Sequence, residues 1–269
     1  MLTGVAALWG AATGLLVPRA AYRFSVPPGE PWRDACPAGH PLTGPARAWL
    51  GATRCGGCAE GAVAEVRTGA PAAVPPEDTP AAVPPEAGPR YAPHRLAPAV
   101  TALACAALAW STGTRPELAA WLLLAPVAVL LASVDHRVHR LPDGLTLPAA
   151  GAAAVLLGLA ALLPEHAGSW LSALLGGLVL GAFYFLLFLI NPRGMGFGDV
   201  KLALSLGTVL GWYGWPVVFA GGFAGFLFGA VYGAGLVALR RANRRTGIPF
   251  GPFMIAGAFL GLLFGGLAA

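Results

Sequence analysis

Seven long uncharged apolar segments limit the folds open to this chain of 269 residues. Only 11% of the residues are charged and the mean hydropathy is +0.68, whereas soluble domains contain about 25% charged residues. A helix needs about 20 apolar residues to cross the hydrocarbon core of a bilayer. The uncharged segments are Met1–Pro18, Leu96–Thr114, Leu118–Val134, Gly144–Pro164, Ala167–Pro192, Leu202–Leu239 and Thr246–Ala269.

Leu202–Leu239 is long enough for two spans, with a turn predicted at Gly211–Pro216. The sequence therefore predicts an all-α polytopic membrane protein with about eight transmembrane helices. The alternative, a soluble protein built from buried helices, disagrees with the hydropathy.

The distribution of basic residues predicts the orientation. Apart from Arg115, the Lys and Arg residues (16 of 17) fall in the segments 19–95, 135–143, 191–201 and 240–249. Cytoplasmic loops carry the excess of basic residues. These segments are therefore expected on the cytoplasmic side of the inner (plasma) membrane, and the N-terminus is expected outside. Glu117 and Glu165 are then expected in outer loops. The first span, residues 1–18, is expected to be a retained anchor.

The aqueous part of the chain, residues 19–95, divides into two regions. Residues 19–66 form a cytoplasmic insert with three of the four cysteines. Residues 67–95 contain the six-residue sequence AAVPPE twice, at 72–77 and 81–86. Such a Pro/Ala repeat cannot bury a core, and a semi-extended linker is expected. The seven-helix membrane domain would then cover residues 96–269.

Four residues of the insert have the side chains of a zinc site. Cys55 and Cys58 form a CxxC pair, and Cys36 and His40 precede it. A Cys₃His set binds zinc tetrahedrally, and a small cytoplasmic loop gains folding energy from a metal. A redox pair and a chance arrangement are the alternatives. Cys105 lies in an apolar run and is expected to be a packing residue.

Asp135 and Asp199 lie at the ends of apolar segments, next to loops with Arg or Lys. Carboxylates beside a bilayer core are costly, which makes them functional candidates. Two of them at equivalent depth predict a dyad that shares a proton and activates water against a peptide bond. The positions predict an aspartic protease embedded in the membrane, with both carboxylates on the cytoplasmic side.

The residues around this pair have supporting roles. Gly196 and Gly198 leave the backbone before Asp199 open to a substrate strand. Lys201 is expected to pair with lipid phosphate, with the substrate or with Asp199. Asp143 is expected to be the N-cap of the next helix. His136 and His139 are expected to be membrane-surface residues.

These motifs resemble those of the type IV prepilin leader peptidases. The sequence Gly196-Phe197-Gly198-Asp199 is similar to the GxGD signature of intramembrane aspartic proteases, and Asp135 is followed by Leu-Pro-Asp ending at Asp143. The segments 14–23 and 248–252 resemble the family's first-span exit and the start of its last span. The insert resembles the family's cytoplasmic insert, although the first of the usual two CxxC pairs is replaced by Cys36 and His40.

The resemblance implies that Asp135 and Asp199 are catalytic and that the leader of prepilin or pseudopilin precursors is cleaved at the cytoplasmic face. Many family members also methylate the new N-terminus with S-adenosylmethionine, which would be a cofactor only if this chain has that activity. The partners implied are these precursors and the lipid bilayer, with no nucleic acid.

Two other functions are open. A general intramembrane protease shares GxGD, but it lacks the downstream Leu-Pro-Asp and usually has Tyr-Asp where this chain has Val134-Asp135. A transporter with a carboxylate pair belongs to a different class, and its acids would be expected at the bilayer midplane.

Overall fold

The structure is a computed structural model. It describes residues 1–27, 29–51, 53–59, 91, 96–192, 194–239 and 248–269. The predicted linker at 67–95 lies outside these residues, except for Tyr91. Most of the predicted cytoplasmic segment 240–249 also lies outside them.

The described residues form helices and connecting loops, without a named strand. Four residues, Pro45–Ala48, form one further helical turn, in which three residues have positive φ. The helices are α1 (Leu2–Gly14), α2 (Val17–Phe24), α3 (Leu96–Thr112), α4 (Glu117–Val138), α5 (Asp143–Ala160), α6 (Trp170–Ile190), α7 (Phe197–Gly211), α8 (Trp215–Ala238) and α9 (Gly251–Ala268).

Six apolar segments of the described chain are long enough to cross a membrane. They are Leu2–Phe24, which combines α1 and α2, and the helices α4, α5, α6, α8 and α9. The apolar helix α3 is shorter, and so is α7. The all-α polytopic membrane fold is thus confirmed. The turn predicted at Gly211–Pro216, between the two spans of the 202–239 segment, lies where α7 ends and α8 begins.

Small residues bring neighbouring helices close together, as is usual in lipid. A Cβ atom added to Gly10 of α1 would lie 2.5 Å from the carbonyl oxygen of Thr101 in α3. A Cβ atom added to Gly176 of α6 would lie 2.6 Å from the carbonyl oxygen of Gly207 in α7. Helix α9 then contacts α3, α4, α7 and α8. The last helix therefore touches both helices that carry the candidate aspartates.

Two arginines of α2 hold the insert against this helix bundle. The Nε atom of Arg19, which is only 3% exposed, donates to the carbonyl of Ala48 at 2.9 Å, and Nη1 of Arg23 donates to that of Arg47 at 2.9 Å. Arg47 and Ala48 have φ angles of 53° and 64°, which are unfavourable for residues with a side chain. The charge-assisted hydrogen bonds offset that cost.

Glu117 differs from its predicted place in an outer loop. It is the first residue of α4 and is fully buried, and its Oε1 accepts from the amide of Ala167 at 3.4 Å. Glu165 is an exposed loop residue, and its location on the outer side stays a prediction. Cys105 is fully buried in the core and confirms the packing role.

Candidate active site and metal site

Asp135 lies in the last turn of α4 and is 4% exposed. The helix ends after Val138 because His139 adopts a left-handed conformation, with φ of 50°, and its amide donates to the carbonyl of Asp135 at 2.8 Å. This cap closes the helix directly after the carboxylate. His136 and His139 are both exposed.

Asp199 lies in the first turn of α7 and is 8% exposed. Its Oδ2 accepts from the amide of Gly196, the N-cap residue, at 3.1 Å. An acidic side chain at the third helical position commonly binds the N-cap amide in this way, and the helix dipole favours a negative charge there. This hydrogen bond fixes the carboxylate at the start of the helix.

The carboxylate of Asp135 is held by a residue distant in sequence. Its Oδ2 accepts from the amide of Gly251 at 2.9 Å, and Gly251 is the first residue of α9. A Cβ atom at this position would lie 2.8 Å from Oδ2, so the amide can approach only because the residue is glycine. The segment 248–252 resembles a family motif, but its residues do not predict this contact.

The two carboxylates are brought to one place by the ends of three helices. The loop after Asp135 packs against the residue before Asp199, since a Cβ atom on Gly198 would lie 2.9 Å from the Cβ of Leu141, and α9 contacts both α4 and α7. Each carboxylate binds one backbone amide at a helix N-terminus, through its Oδ2 atom. Two buried carboxylates that repel each other hold one proton between them more readily than none or two. The arrangement can therefore supply one acid and one base.

The two glycines before Asp199 have different surroundings. A Cβ atom on Gly198 would lie 2.9 Å from the Cβ of Leu141, whereas one on Gly196 would meet only the Asp199 Oδ2 atom, at 3.5 Å, and a backbone nitrogen. Gly198 thus allows the loop after α4 to pack against the start of α7. This contact adds a packing role to the substrate access predicted from the sequence.

Lys201 forms an ion pair with Asp143, with 2.6 Å between Nζ and Oδ1. The N-cap role predicted for Asp143 is wrong for a separate reason. Asp143 is the first residue of α5, Pro142 is the N-cap, and that cap has no side-chain hydrogen bond. The lysine also lies 4.9 Å from the ring centroid of Phe197. The ion pair joins the start of α5 to the start of α7.

The four predicted zinc ligands lie together in the insert. The candidate ligand atoms of Cys36, His40, Cys55 and Cys58 are all within 4.8 Å of one another. The Sγ atoms of Cys36 and Cys58 are 3.7 Å apart, and the Sγ atom of Cys36 is 3.7 Å from Nδ1 of His40. A tetrahedral zinc with bonds of about 2.3 Å to sulfur requires ligand separations of about 3.8 Å. The residues fit a zinc ion.

A tight turn presents Cys36 and His40 on one side. The amide of Cys36 donates to the carbonyl of His40 at 2.9 Å, and Gly39 takes the φ of 82° that the turn needs. The CxxC pair approaches from the other side, where a Cβ on Gly57 would lie 3.0 Å from the His40 ring. Gly57 therefore leaves room for the histidine.

The thiols of Cys36 and Cys58 differ in proton affinity. Burial raises the pKa of Cys36, but hydrogen bonds from the backbone of Ala38 and His40 and from side chains lower it to about 7. Burial and hydrogen bonds with Cys36 and Cys55 raise the pKa of Cys58 to about 12. All four cysteines of the chain are free thiols.

Comparison with known proteins covers the part of the chain that carries both aspartates. Residues 122–234 match the profile of the type IV leader peptidase family. This match covers less than half of the chain and includes both candidate aspartates. The resemblance inferred from the motifs is thus confirmed, and the family segment contains α5, α6 and α7 and most of α4 and α8.

Several curated relatives are named "Prepilin leader peptidase/N-methyltransferase". The protein of Aeromonas salmonicida is 37% identical over 145 residues, which are 54% of this chain and 48% of the relative. The protein of Pseudomonas aeruginosa is 36% identical over 178 residues, 63% of this chain and 58% of the relative. The protein of Burkholderia pseudomallei is 38% identical over 171 residues, which are 61% of this chain and 52% of the relative. The chain thus spans about half the length of the curated relatives it matches. No solved structure gives a significant match.

Proposed function

We propose that this protein is an aspartic endopeptidase that cleaves the leader of type IV prepilin or pseudopilin precursors. The observation that carries the proposal is the pair of buried aspartates, each bound to the backbone amide of a helix N-terminus, within a segment that matches the leader peptidase family.

In the proposed reaction the dyad holds one proton. The ionised carboxylate takes a proton from a water molecule while the water oxygen bonds to the scissile carbonyl carbon. The protonated carboxyl gives its proton to the carbonyl oxygen, which forms a tetrahedral diol. The diol then collapses: one diol hydroxyl gives its proton to the ionised carboxylate, the C–N bond breaks, and the amide nitrogen receives a proton from the protonated carboxyl. One proton is again shared at the end.

Replacing either aspartate by Asn tests this assignment. The Asn side-chain oxygen still accepts from Gly196 or Gly251, so insertion and abundance should be near normal, but the dyad loses its shared proton. We expect Asp135→Asn and Asp199→Asn each to lose at least about 100-fold in cleavage, the scale of a missing acid or base. The assay incubates membranes with a candidate prepilin and sequences the N-terminus of the product. More than about a tenth of the activity in either variant would overturn the assignment.

The same assay separates the other functions. Cleavage of unrelated transmembrane substrates with no preference for a prepilin would indicate a general intramembrane protease, and carboxylate-dependent transport without cleavage would indicate a transporter. The relatives' names include N-methyltransferase. A methyl group on the product, formed only with S-adenosylmethionine, would assign that activity to this chain as well.

The proposed location is the inner (plasma) membrane, with the N-terminus outside and the aspartates on the cytoplasmic side. The partition of basic residues supports it. Cysteines introduced at the exposed positions Glu165 and Asn191 test the orientation. A membrane-impermeant thiol reagent added to intact cells should label position 165 and leave position 191 unlabelled. The reverse pattern would invert the topology.

We further propose that the insert at 19–66 binds a structural zinc ion through Cys36, His40, Cys55 and Cys58. The ligand separations support this site, and a small loop with little core gains folding energy from the metal. The aspartate chemistry needs no metal.

A further inference from the structure

Three aromatic rings of the insert gather at the end of the first span. The ring centroids of Trp32 and Trp49 lie 4.8 and 4.7 Å from that of Phe24, which is the last residue of the apolar segment Leu2–Phe24. This segment has 23 residues, which extend about 34 Å at the helical rise of 1.5 Å per residue. The hydrocarbon core is about 30 Å thick. Phe24 therefore lies where the span leaves the hydrocarbon.

The headgroup layer is thick enough to contain this aromatic cluster. A hydrocarbon core of about 30 Å within a bilayer of about 40–45 Å leaves about 5–8 Å of headgroups on each side. The ring centroids of Trp32 and Trp49 are less than that distance from the Phe24 ring. All three rings thus fall within the headgroup layer.

Hydrogen bonds hold this part of the insert beside the spans. The amide of Arg33 donates to the carbonyl of Arg23 at 3.2 Å, so the chain is folded back against α2 directly after Trp32. The side chain of Arg140, two residues after α4 ends, donates to the carbonyl of Pro27 at 3.0 Å. The ends of two spans therefore set the depth of this part of the insert.

One side of the aromatic cluster is not covered by the described part of the chain. Trp32 is 39% exposed, and Leu50, the neighbour of Trp49, is 40% exposed. Tryptophan is enriched at membrane–water interfaces, where its ring contacts apolar groups and its N–H reaches water or headgroups. An uncovered tryptophan and leucine at this depth are therefore suited to contact lipid.

The charges around the cluster are balanced. Arg33 and Arg47 are exposed, and so are Glu30 and Asp34. The guanidinium of Arg33 lies 4.8 Å from the centroid of the Tyr22 ring, and an arginine at this depth can reach lipid phosphate while its stem contacts apolar groups. Because two acids offset the two arginines, the apolar side chains must supply most of the attraction to the bilayer.

We propose that Trp32, Trp49, Leu50 and Arg33 form a membrane-contact surface, which lies in the headgroup layer of the leaflet next to the insert. The partner is the phospholipid surface, bound through the tryptophan rings and the leucine side chain, with Arg33 beside the phosphate groups. This surface adds a lipid contact to a segment that the sequence predicts to be aqueous. It does not depend on the proposed peptidase, because no group of the candidate active site takes part.

Photocrosslinking in bilayers tests the membrane-contact surface. A photoreactive residue at position 32 or 50 of the full chain, reconstituted in phosphatidylcholine, should form phospholipid adducts that mass spectrometry detects. Position 219 is the positive control, since Phe219 is 65% exposed within the candidate span α8. Adding anionic phosphatidylglycerol should change the adduct yield by less than about twofold, because the charges of the surface are balanced.

Substitution of Leu50 tests the apolar contact without disturbing the stacked rings. Leu50→Glu places a charge in the headgroup layer and removes the apolar contact, so the adduct yield at position 32 should fall about fivefold or more. Leu50→Met keeps an apolar side chain of similar size and should leave the yield unchanged. Thermal unfolding of each variant shows whether the protein remains folded.

Four results would overturn the inference. The first is no lipid adduct at positions 32 and 50 while position 219 is labelled. The second is adducts that form only with anionic lipid, which would indicate a basic surface instead of an apolar one. The third is crosslinks to residues 60–95 of the same chain in place of lipid, which would mean that the protein covers the surface. The fourth is an unchanged yield at position 32 in a folded Leu50→Glu variant.

Discussion

Gly251→Ala tests whether the position of the Asp135 carboxylate depends on one backbone amide. The added Cβ would lie 2.8 Å from Oδ2 and 3.2 Å from Cγ of Asp135. Carbon and oxygen atoms ordinarily approach to about 3.3 Å, so the carboxylate must move by about 0.5 Å. That movement lengthens the 2.9 Å hydrogen bond between the Gly251 amide and Oδ2.

Two effects set the size of the expected loss. A hydrogen bond to a charged group contributes about 1.5–3 kcal/mol, and a misplacement of about 1 Å in a catalytic group can cost about 100-fold. Since the shift here is about half of that, we expect cleavage to fall between about 10- and 100-fold. Stability should not fall as much, because alanine reduces the entropy of the unfolded chain at a position without positive φ.

The control is Gly144→Ala, at the second residue of α5 near the same end of the bundle. A Cβ there meets nothing within 4 Å, so cleavage should stay within about twofold of the wild type, as for substitutions that disturb no contact. The assay compares initial cleavage rates of one prepilin and thermal unfolding in detergent for all three proteins. Full activity in Gly251→Ala would show that the amide does not set the carboxylate geometry. A matching loss in both variants would point to a general effect of alanine.

Four further variants test the ion pair and the metal site. Asp143→Asn should reduce cleavage only slightly, because Asp143 is 65% exposed and exposed ion pairs contribute about 0–1 kcal/mol; a loss above about tenfold would require a direct role. Lys201→Met should cost more, since it also removes the contact with Phe197, and initial rates for both variants decide this. Purified wild-type protein should contain about one zinc per chain by metal analysis. Cys55→Ser and Gly57→Ala should lose zinc and make residues 19–66 sensitive to protease, while part of the cleavage activity survives. A metal-free wild type with a protease-resistant insert would eliminate the zinc site.

The sequence was sufficient for the helices because hydrocarbon imposes a simple rule on composition. A span must be long and mostly uncharged, so the charged residues lie near the ends of the apolar spans, although α2 continues through Arg19 and Arg23 and α4 through Asp135. Apart from α1 and α2, which together form one span, only α3 and α7 of the described long helices are shorter than the rule requires, and both are packed against other helices. The turn before Trp215 was also predictable from Gly and Pro residues in an otherwise apolar segment.

The candidate aspartates were predictable for the same reason, but their partners were not. A carboxylate beside an apolar segment is visible in the sequence, whereas the amide of Gly251 has no side-chain signature and lies 116 residues from Asp135. The sequence does not decide the role of Asp143, because an aspartate at the start of a helix can be the N-cap or the first helical residue. The backbone of Pro142, which is extended with ψ of 132°, makes it the cap.

The insert shows a similar limit. Arg19 and Arg23 were useful as topology markers, but their burial depends on carbonyls that a left-handed turn at 46–48 presents. That turn has no glycine among its three residues with positive φ, so the sequence does not reveal it. The arginines can be buried because the turn supplies carbonyl acceptors, and the unfavourable φ angles of the turn are offset by the hydrogen bonds from the arginines.

The connections between insert and active site explain why zinc loss should spare part of the activity. The Nη1 atom of Arg140 donates to the carbonyl of Pro27 at 3.0 Å, in an exposed position, and α2 packs against α4. An exposed hydrogen bond contributes about 0.5–1.5 kcal/mol at most. The amides that hold the aspartates belong to Gly196 and Gly251, which are outside the insert. Unfolding the metal site would therefore loosen the loop after Asp135 without removing any group that holds the carboxylates.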